Sequence, residues 1–413
     1  MKKALYNSGI YCYKQLVKLA AWRNPKARKL TEGQKSVFPY LEANAAPEGG
    51  YIWFHASSLG EFEQARPLIE AFRVKFPAKK IALTFFSPSG YEVRKNYEQA
   101  DLVCYLPFDL PRNVRRFLDL LKPCAAIFIK YEFWGNYLHE LHRRQIPTYI
   151  VSAIFRPTQL FFRPGGGMFR RMLRTYTHLY VQNEESRALL AGIGIDNVSV
   201  VGDTRFDRVI EIRRQAKKLP LVEAFCGESK VFIAGSSWPK DEDIFIEYFN
   251  RHPEIKLIIA PHEIHEEHLA EIAVKLKHPH IRYSQADART AADAQCLIID
   301  CFGLLSSIYQ YGSIAYIGGG FGVGIHNVPE AAVYGIPVIF GTNYHKFREA
   351  KELIAAGGAF SIADFDAFDS LMQRFANDPD FLLRSGKAAG EYIAANTGAT
   401  RRIIEDITPL LQQ

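Results

Sequence analysis

YIWFHASSLGEFEQARPLIEAFR, residues 51–73, decides the fold class of this 413-residue chain. YIWFH (51–55) reads as a strand. A small polar turn with Ser57, Ser58 and Gly60 follows. From Glu61 to Phe76 the apolar residues recur at helical spacing. Strand, tight turn and helix make the opening of a β-α-β unit, the building block of a parallel sheet with helices on both faces. Glu61 stands where the helix begins. It is either a charge that favours the helix start or a base at the mouth of a ligand site.

The rhythm continues along the chain. IALTFF (81–86), AAIFIK (125–130), TYIVSA (148–153), LYVQN (179–183) and VSVVG (198–202) read as strands, with helices at 89–98, 134–144 and 184–191. It restarts with VFIAGSS (231–237), KLIIAPH (256–262), CLIID (296–300), IAYIGG (314–319) and PVIFG (337–341), with helices from about Asp241 and at 263–276. The stretch between, 203–228, is charged and poorly apolar. The expected organisation is a basic segment 1–30, a Rossmann-like domain 31–207, a linker 208–228 and a second Rossmann-like domain 229–413. The last helix is free to pack back on the first domain. A chain of this length holds about two domains.

Apolar residues make up 48% and charged residues 23%, as in ordinary globular proteins. Six cysteines are scattered without a Cys-x-x-Cys, which argues for a reducing compartment and against a disulfide framework or zinc knuckle. The net charge of +7 is unevenly spread: no acidic residue precedes Glu32, while eight Lys or Arg do. Ile10, Tyr13, Val17 and Ala20 share one side of a helix there. Lys14 and Lys18 break any spanning run, and no signal-peptide pattern is present. The segment reads as an interfacial anchor on an anionic membrane surface, not as a nucleic-acid arm; the plainer reading is a helix packed on its own domain with a solvated basic face.

Ligands of open parallel sheets bind beyond the carboxyl ends of the strands. The loops there hold the unusual residues. GGGFGVGIHNVPEAA (318–332) offers Gly319, Gly320, His326, Asn327, Pro329 and Glu330 at a helix start, a pattern suited to a ligand phosphate, and matches neither a P-loop nor a dinucleotide fingerprint. AGSSWPKDED (234–243) offers the hydroxyls of Ser236 and Ser237. FIKYEFWGN (128–136) offers Lys130 and Glu132, and VGDTRFD (201–207) offers Arg205. In APHEIHEEHL (260–269) the histidines are spaced by three, which drifts around a helix, so no metal site is expected; His262, at the strand end, suits an anion. The Asp-x-Asp pairs at 241–243, 364–366 and 378–380 read as solvated surface. The basic, aromatic excursion 156–176 suits an acidic amphiphile or, equally, a packed helix.

In order and spacing, HASSLGEFEQARPLI, TFFSPSGYE, YLPFDLP, YEFWGN, QNEES with GDTRFD, AGSS, GGGFGVGIHNVPEAA and GIPVIFG resemble the 3-deoxy-D-manno-octulosonic acid (Kdo) transferases of lipopolysaccharide assembly, from about residue 50 to 350. The resemblance implies an α/β GT-B glycosyltransferase fold, two Rossmann-like domains facing a central cleft. It implies inverting transfer from CMP-Kdo to a lipid A precursor, without metal or cofactor, by a peripheral protein on the cytoplasmic face of the bacterial inner membrane. It places the general base at Glu61 and a transition-state cation at Arg205, where the family has Lys. CMP contacts fall on Pro261 and His262, on Phe302, Gly303 and Leu304, and on Asn327 through Glu330. The chain departs from the family pattern at Lys130, where the family has Glu, at His262, where it has Arg, and at Ser236-Ser237-Trp238, where it has Ser-Thr-His. The competing readings are a GT-B transferase using another sugar nucleotide and a non-catalytic lipid-binding relative.

Overall fold

A computed structural model describes residues 2–411. The chain divides into two compact units, 1–208 with 397–413, and 209–396. The strands of the first are β1 (Tyr51–Ala56), β2 (Ile81–Phe85), β3 (Leu102–Tyr105), β4 (Pro123–Ile129), β5 (Thr148–Ala153), β6 (His178–Val181) and β7 (Val198–Val200). They form one sheet in the order β3-β2-β1-β4-β5-β6-β7, every neighbouring pair parallel. The strands of the second are β8 (Val231–Ser237), β9 (Lys256–Pro261), β10 (His280–Arg282), β11 (Cys296–Ile298), β12 (Ile314–Ile317), β13 (Val338–Phe340) and β14 (Ala359–Ser361). Their order is β10-β11-β9-β8-β12-β13-β14, again all parallel.

Parallel pairing requires crossover connections, and the helices supply them on both faces. β1 shows why both faces are buried: Ile52 and Phe54 pack into one apolar cluster with Phe62, Leu68 and Phe72, while Tyr51 and Trp53 pack into the other. The strand order reverses between β1 and β4 in the first unit and between β8 and β12 in the second. Those two points open the crevices at which such sheets take ligands.

The basic N-terminal segment folds as helices Lys2–Ala20 and Pro25–Asn44, the second capped by Asn24, which accepts from the N–H groups of Lys26 and Ala27. Tyr6 and Val17 pack on the core, and Tyr13 contacts the rings of Phe86 and Phe108 at 6.3 and 6.0 Å. The side bearing Ile10, Tyr13 and Val17 therefore faces the domain. A second apolar stripe faces away from it: Leu5, Leu16, Leu19 and Trp22 are 76, 63, 74 and 81% exposed.

The stretch expected to be a linker is structured. Helix Thr204–Arg214 carries the chain from one unit to the next, and helix Pro220–Cys226 buries Val222 and Phe225 in the second. Two apolar residues one turn apart suffice to dock this short helix, which the composition of the charged stretch around it hides. The terminal helix Ala399–Leu411 belongs to the first unit. Ile403 and Ile407 join the cluster around helix Leu59–Lys75, and Asp207 accepts from the N–H groups of Gly398 and Thr400 at 2.6 and 2.7 Å.

Candidate active site

In the first unit the residues after β1, β4, β5 and β7 gather at the carboxyl edge of the sheet. Ser58, Leu59, Gly60 and Glu61 have the spelling of a reciprocal capping box, in which the serine hydroxyl and the glutamate side chain would both be used on backbone N–H groups. That box is not formed. Ser58 occupies the N-cap without a side-chain cap bond, and its hydroxyl donates to Glu61 Oε2 instead. Glu61 is thus aimed by Ser58, half-buried, and not consumed by the helix end. A Cβ on Gly60 would meet only Ser58 Oγ, at 3.8 Å, so packing does not demand glycine; its absence of a side chain leaves open space beside the carboxylate.

Facing Glu61 is the loop after β4. Burial pushes the Tyr131 hydroxyl up, Arg156 draws it back through a hydrogen bond, and the Glu61 charge is near enough to raise it. Lys130 Nζ lies 5.5 Å from the centre of the Tyr131 ring. Lys130 holds a left-handed backbone at φ 71°, and Ser152 at the end of β5 holds φ 53°. Non-glycine residues in that region cost free energy and persist where the surroundings enforce them, commonly at functional sites.

Glu132 is a correction to the sequence reading. It is 3% exposed, its Oε2 lies 3.1 Å from His55 Nε2, and it accepts from the Trp134 indole N–H. His55 in turn contacts Thr84 through Nδ1, at 2.9 Å from Oγ1. A carboxylate sealed among these partners supports the floor of the site and is not open to substrate. Arg205 is held by Asp203, which accepts from its Nε at 3.0 Å. Burial would raise Asp203, but Arg205 beside it brings it below the ordinary carboxylate range. Asp203 also accepts from Gln64 Nε2 at 3.0 Å, so Arg205 is tied to the helix that carries Glu61.

In the second unit the switch between β8 and β12 brings together Ser236, Ser237, Gly319, Gly320, His262 and His326. Ser237 is corrected: its hydroxyl is fully buried and donates to Glu242 at 2.9 Å, so it does not face a phosphate. Ser236 remains half-buried at φ 53°. The glycines serve packing more than sequence reasoning allowed. A Cβ on Gly318 would lie 2.1 Å from Ser236 O, and one on Gly320 would lie 2.4 Å from Gly341 N. They let strand-end loops touch backbone to backbone. Pro261 and Pro329 are buried, so neither presents much surface to a ligand.

Trp238 and His326 are nearly coplanar, 8° apart, with the indole N–H donating to His326 Nε2 at 3.1 Å. His262 stacks on both, with ring centres 4.8 Å from Trp238 and 4.3 Å from His326. Burial, with His262 alongside, pushes His326 down to about 4. It is therefore neutral near pH 7, and because Nε2 accepts, its proton sits on Nδ1. Two of the chain's departures from the family pattern, Trp238 and His262, thus meet in space. Asn327 donates to Glu330 at 2.6 Å, and its Oδ1 is buried without a partner. The helix after it, Val328–Ala332, has only five residues, so its dipole is slight. Phe302 is 80% exposed beside Gly303, at φ 87°, and half-buried Leu304, so this turn stands open.

Asp241 is the residue sequence reasoning missed. Its sequence setting reads as solvated surface, yet it is 1% exposed and accepts from Tyr316 and Gly319. These two partners lie more than seventy positions away, so no local pattern reports them.

Residues 26–208 match the family model described as 3-deoxy-D-manno-octulosonic-acid transferase (kdotransferase). A 3-deoxy-D-manno-octulosonic acid transferase of Bordetella pertussis is 28% identical over 435 residues, covering 98% of this chain and 98% of its own. One of Haemophilus influenzae is 26% identical, covering 91% of this chain and 90% of its own. The chain is thus similar to Kdo transferases along nearly its whole length. Kdo transferases are glycosyltransferases, and this chain is an enzyme of that class. The fold agrees with GT-B enzymes: MurG of Acinetobacter baumannii matches with a TM-score of 0.56 at 14% identity, over 87% of this chain and 99% of that one. A UDP-GlcNAc 2-epimerase of Neisseria meningitidis matches with a TM-score of 0.62 at 15% identity, over 87% of this chain and 100% of its own.

Proposed function

We propose that this protein transfers Kdo from CMP-Kdo to a lipid A precursor, with inversion and without a metal, in lipopolysaccharide core biosynthesis. The observation that carries the reading is Glu61: a half-buried carboxylate at the β1/β4 switch, oriented by the Ser58 hydroxyl and not used up in helix capping. A base so placed takes the proton from the acceptor hydroxyl as that oxygen attacks the anomeric carbon of Kdo. The bond to the CMP phosphate breaks, and negative charge grows on the departing oxygen. Arg205 and Lys130 supply positive charge on the first unit. His262, with the Nδ1–H of His326 and the backbone around Ser236, supplies donors on the second. The turn Phe302–Leu304, with Asn327 and Glu330, completes the donor contacts. CMP-Kdo is a co-substrate, and no cofactor enters the chemistry.

The acceptor is a phosphorylated, acylated disaccharide. A cavity of about 420 Å³ in the first unit suits part of it: Tyr6, Met168 and Met172 line it with apolar surface, and Arg171, Arg174 and His142 with basic groups. The outward stripe Leu5, Leu16, Leu19 and Trp22, flanked by lysines and arginines, suits the interface of an anionic leaflet. No described helix is long and apolar enough to cross a membrane. The reading places the protein on the cytoplasmic face of the inner membrane as a peripheral enzyme, docked through that outward stripe. Release of CMP from CMP-Kdo that depends on added lipid A precursor tests the reading. Turnover with a UDP-sugar instead, or binding of the lipid without any CMP release, would replace it.

A further inference from the structure

Asp241 is the third residue of helix Pro239–Arg251. An acidic residue there ordinarily accepts from the N-cap N–H, and Asp241 does so from Trp238 N at 3.0 Å. Capping needs no more than that and is compatible with a carboxylate in water. This carboxylate is buried, and it also accepts from Gly319 N at 2.9 Å and from the Tyr316 hydroxyl at 2.7 Å. Tyr316 is on β12 and Gly319 in the loop after it, while Trp238 follows β8. The three bonds therefore span the β8/β12 switch, where Gly318 brings the two loops into backbone contact. Burial pushes Asp241 up despite its three donors, a cost that helix capping alone does not require.

Trp238 extends the connection. Its backbone is held by Asp241, and its indole N–H fixes His326, with His262 stacked over the pair. We propose that Asp241 is the positioning residue of the sugar-nucleotide cradle: it locks the loop after β8 to the glycine-rich loop after β12 and, through Trp238, sets the rings of His326 and His262 that meet the donor. This role rests on the assignment of the donor to the second unit.

The test is steady-state kinetics of the full-length enzyme with Asp241→Asn, Tyr316→Phe and Trp238→Phe, together with calorimetric titration of CMP. Asparagine keeps the shape, but its one acceptor oxygen holds the two backbone N–H groups by neutral bonds of about half the strength, and its NH2 turns a donor toward the Tyr316 hydroxyl. The KM for CMP-Kdo in Asp241→Asn is expected to rise about five- to thirtyfold, with kcat and the acceptor KM within about twofold. Tyr316→Phe removes only the bond that does not hold a loop backbone, and should leave the donor KM within about twofold. Trp238→Phe keeps the backbone N–H but frees His326, and should raise the donor KM about two- to fivefold. An unchanged donor KM in Asp241→Asn or Trp238→Phe overturns the proposal. So does a parallel loss in kcat and both KM values, or an effect of Tyr316→Phe equal to that of Asp241→Asn. CMP that binds wild type and Asp241→Asn equally overturns the role alone. Wild type that does not bind CMP overturns the donor assignment and the role with it.

Discussion

Replacing Glu61 with glutamine isolates the chemistry of one atom. Glutamine keeps the length of the side chain and an oxygen that accepts from Ser58, so the aim of the group is preserved. What is lost is the capacity to take a proton. General bases contribute about 10²- to 10⁴-fold, or about 2.7–5.5 kcal/mol of barrier at 1.36 kcal/mol per decade. The structural cost is far smaller. Glu61 sits in the first turn of helix Leu59–Lys75, where a negative charge is worth about 0.3–1 kcal/mol. For a unit of this size that lowers Tm by no more than about 4 °C. The assay is CMP release under saturating CMP-Kdo and acceptor, with both KM values and a melting curve on the same preparation. The expected result is a kcat reduced at least about a hundredfold with both KM values within about twofold. A kcat within about tenfold of wild type in a folded Glu61→Gln protein refutes the assignment of the base.

Three further outcomes follow from other parts of the structure. Lys130→Gly should relieve the left-handed backbone and leave stability equal or up to about 1 kcal/mol higher, while activity falls; a less stable, fully active variant would show that the strain has no catalytic purpose. Burial pushes Asp109 up to about 6 from 3.8, against hydrogen bonds from Tyr6, Asn136 and Tyr137. A carboxyl raised on folding favours the folded state below about pH 4, and that contribution is lost as pH rises through about 6. The stability difference between wild type and Asp109→Asn should therefore shrink by up to about 3 kcal/mol between pH 4 and 7 in denaturant titrations, and a flat difference would contradict the burial argument. Replacing Leu16, Leu19 and Trp22 together by Glu removes apolar side chains each worth about 1.5–3 kcal/mol when buried. Co-sedimentation with anionic phospholipid vesicles should fall at least about a hundredfold with Tm unchanged, whereas undiminished binding would place the membrane surface elsewhere.

The parallel sheets were legible because their central strands are apolar on both faces. β3, β10 and β14 are harder to read, each only three or four residues long and at a sheet edge; β10 and β14 carry little buried apolar surface, while β3 is apolar and buried throughout but short. Glu61 was legible as a candidate because the turn before it is local; that it escapes capping was not, since the choice between two hydrogen-bond patterns depends on the folded loop. Residues whose roles depend on distant partners were misread. Glu132 and Ser237 looked like site groups and are occupied by His55 and Glu242, while Asp241 looked solvated and holds two loops. The N-terminal helix carries apolar residues on two sides, and only the structure shows that Tyr13 and Val17 face the domain and Leu16 and Leu19 face away from it.

The central claim is that Kdo moves from CMP-Kdo to a lipid A precursor on this protein. Mass spectrometry of the lipid after incubation with CMP-Kdo and the purified enzyme measures it directly. The account predicts a product heavier by one or more whole Kdo residues, formed in step with released CMP and at least about a hundredfold more slowly with Glu61→Gln. Lipid of unchanged mass in the presence of folded wild-type protein and intact CMP-Kdo would contradict it.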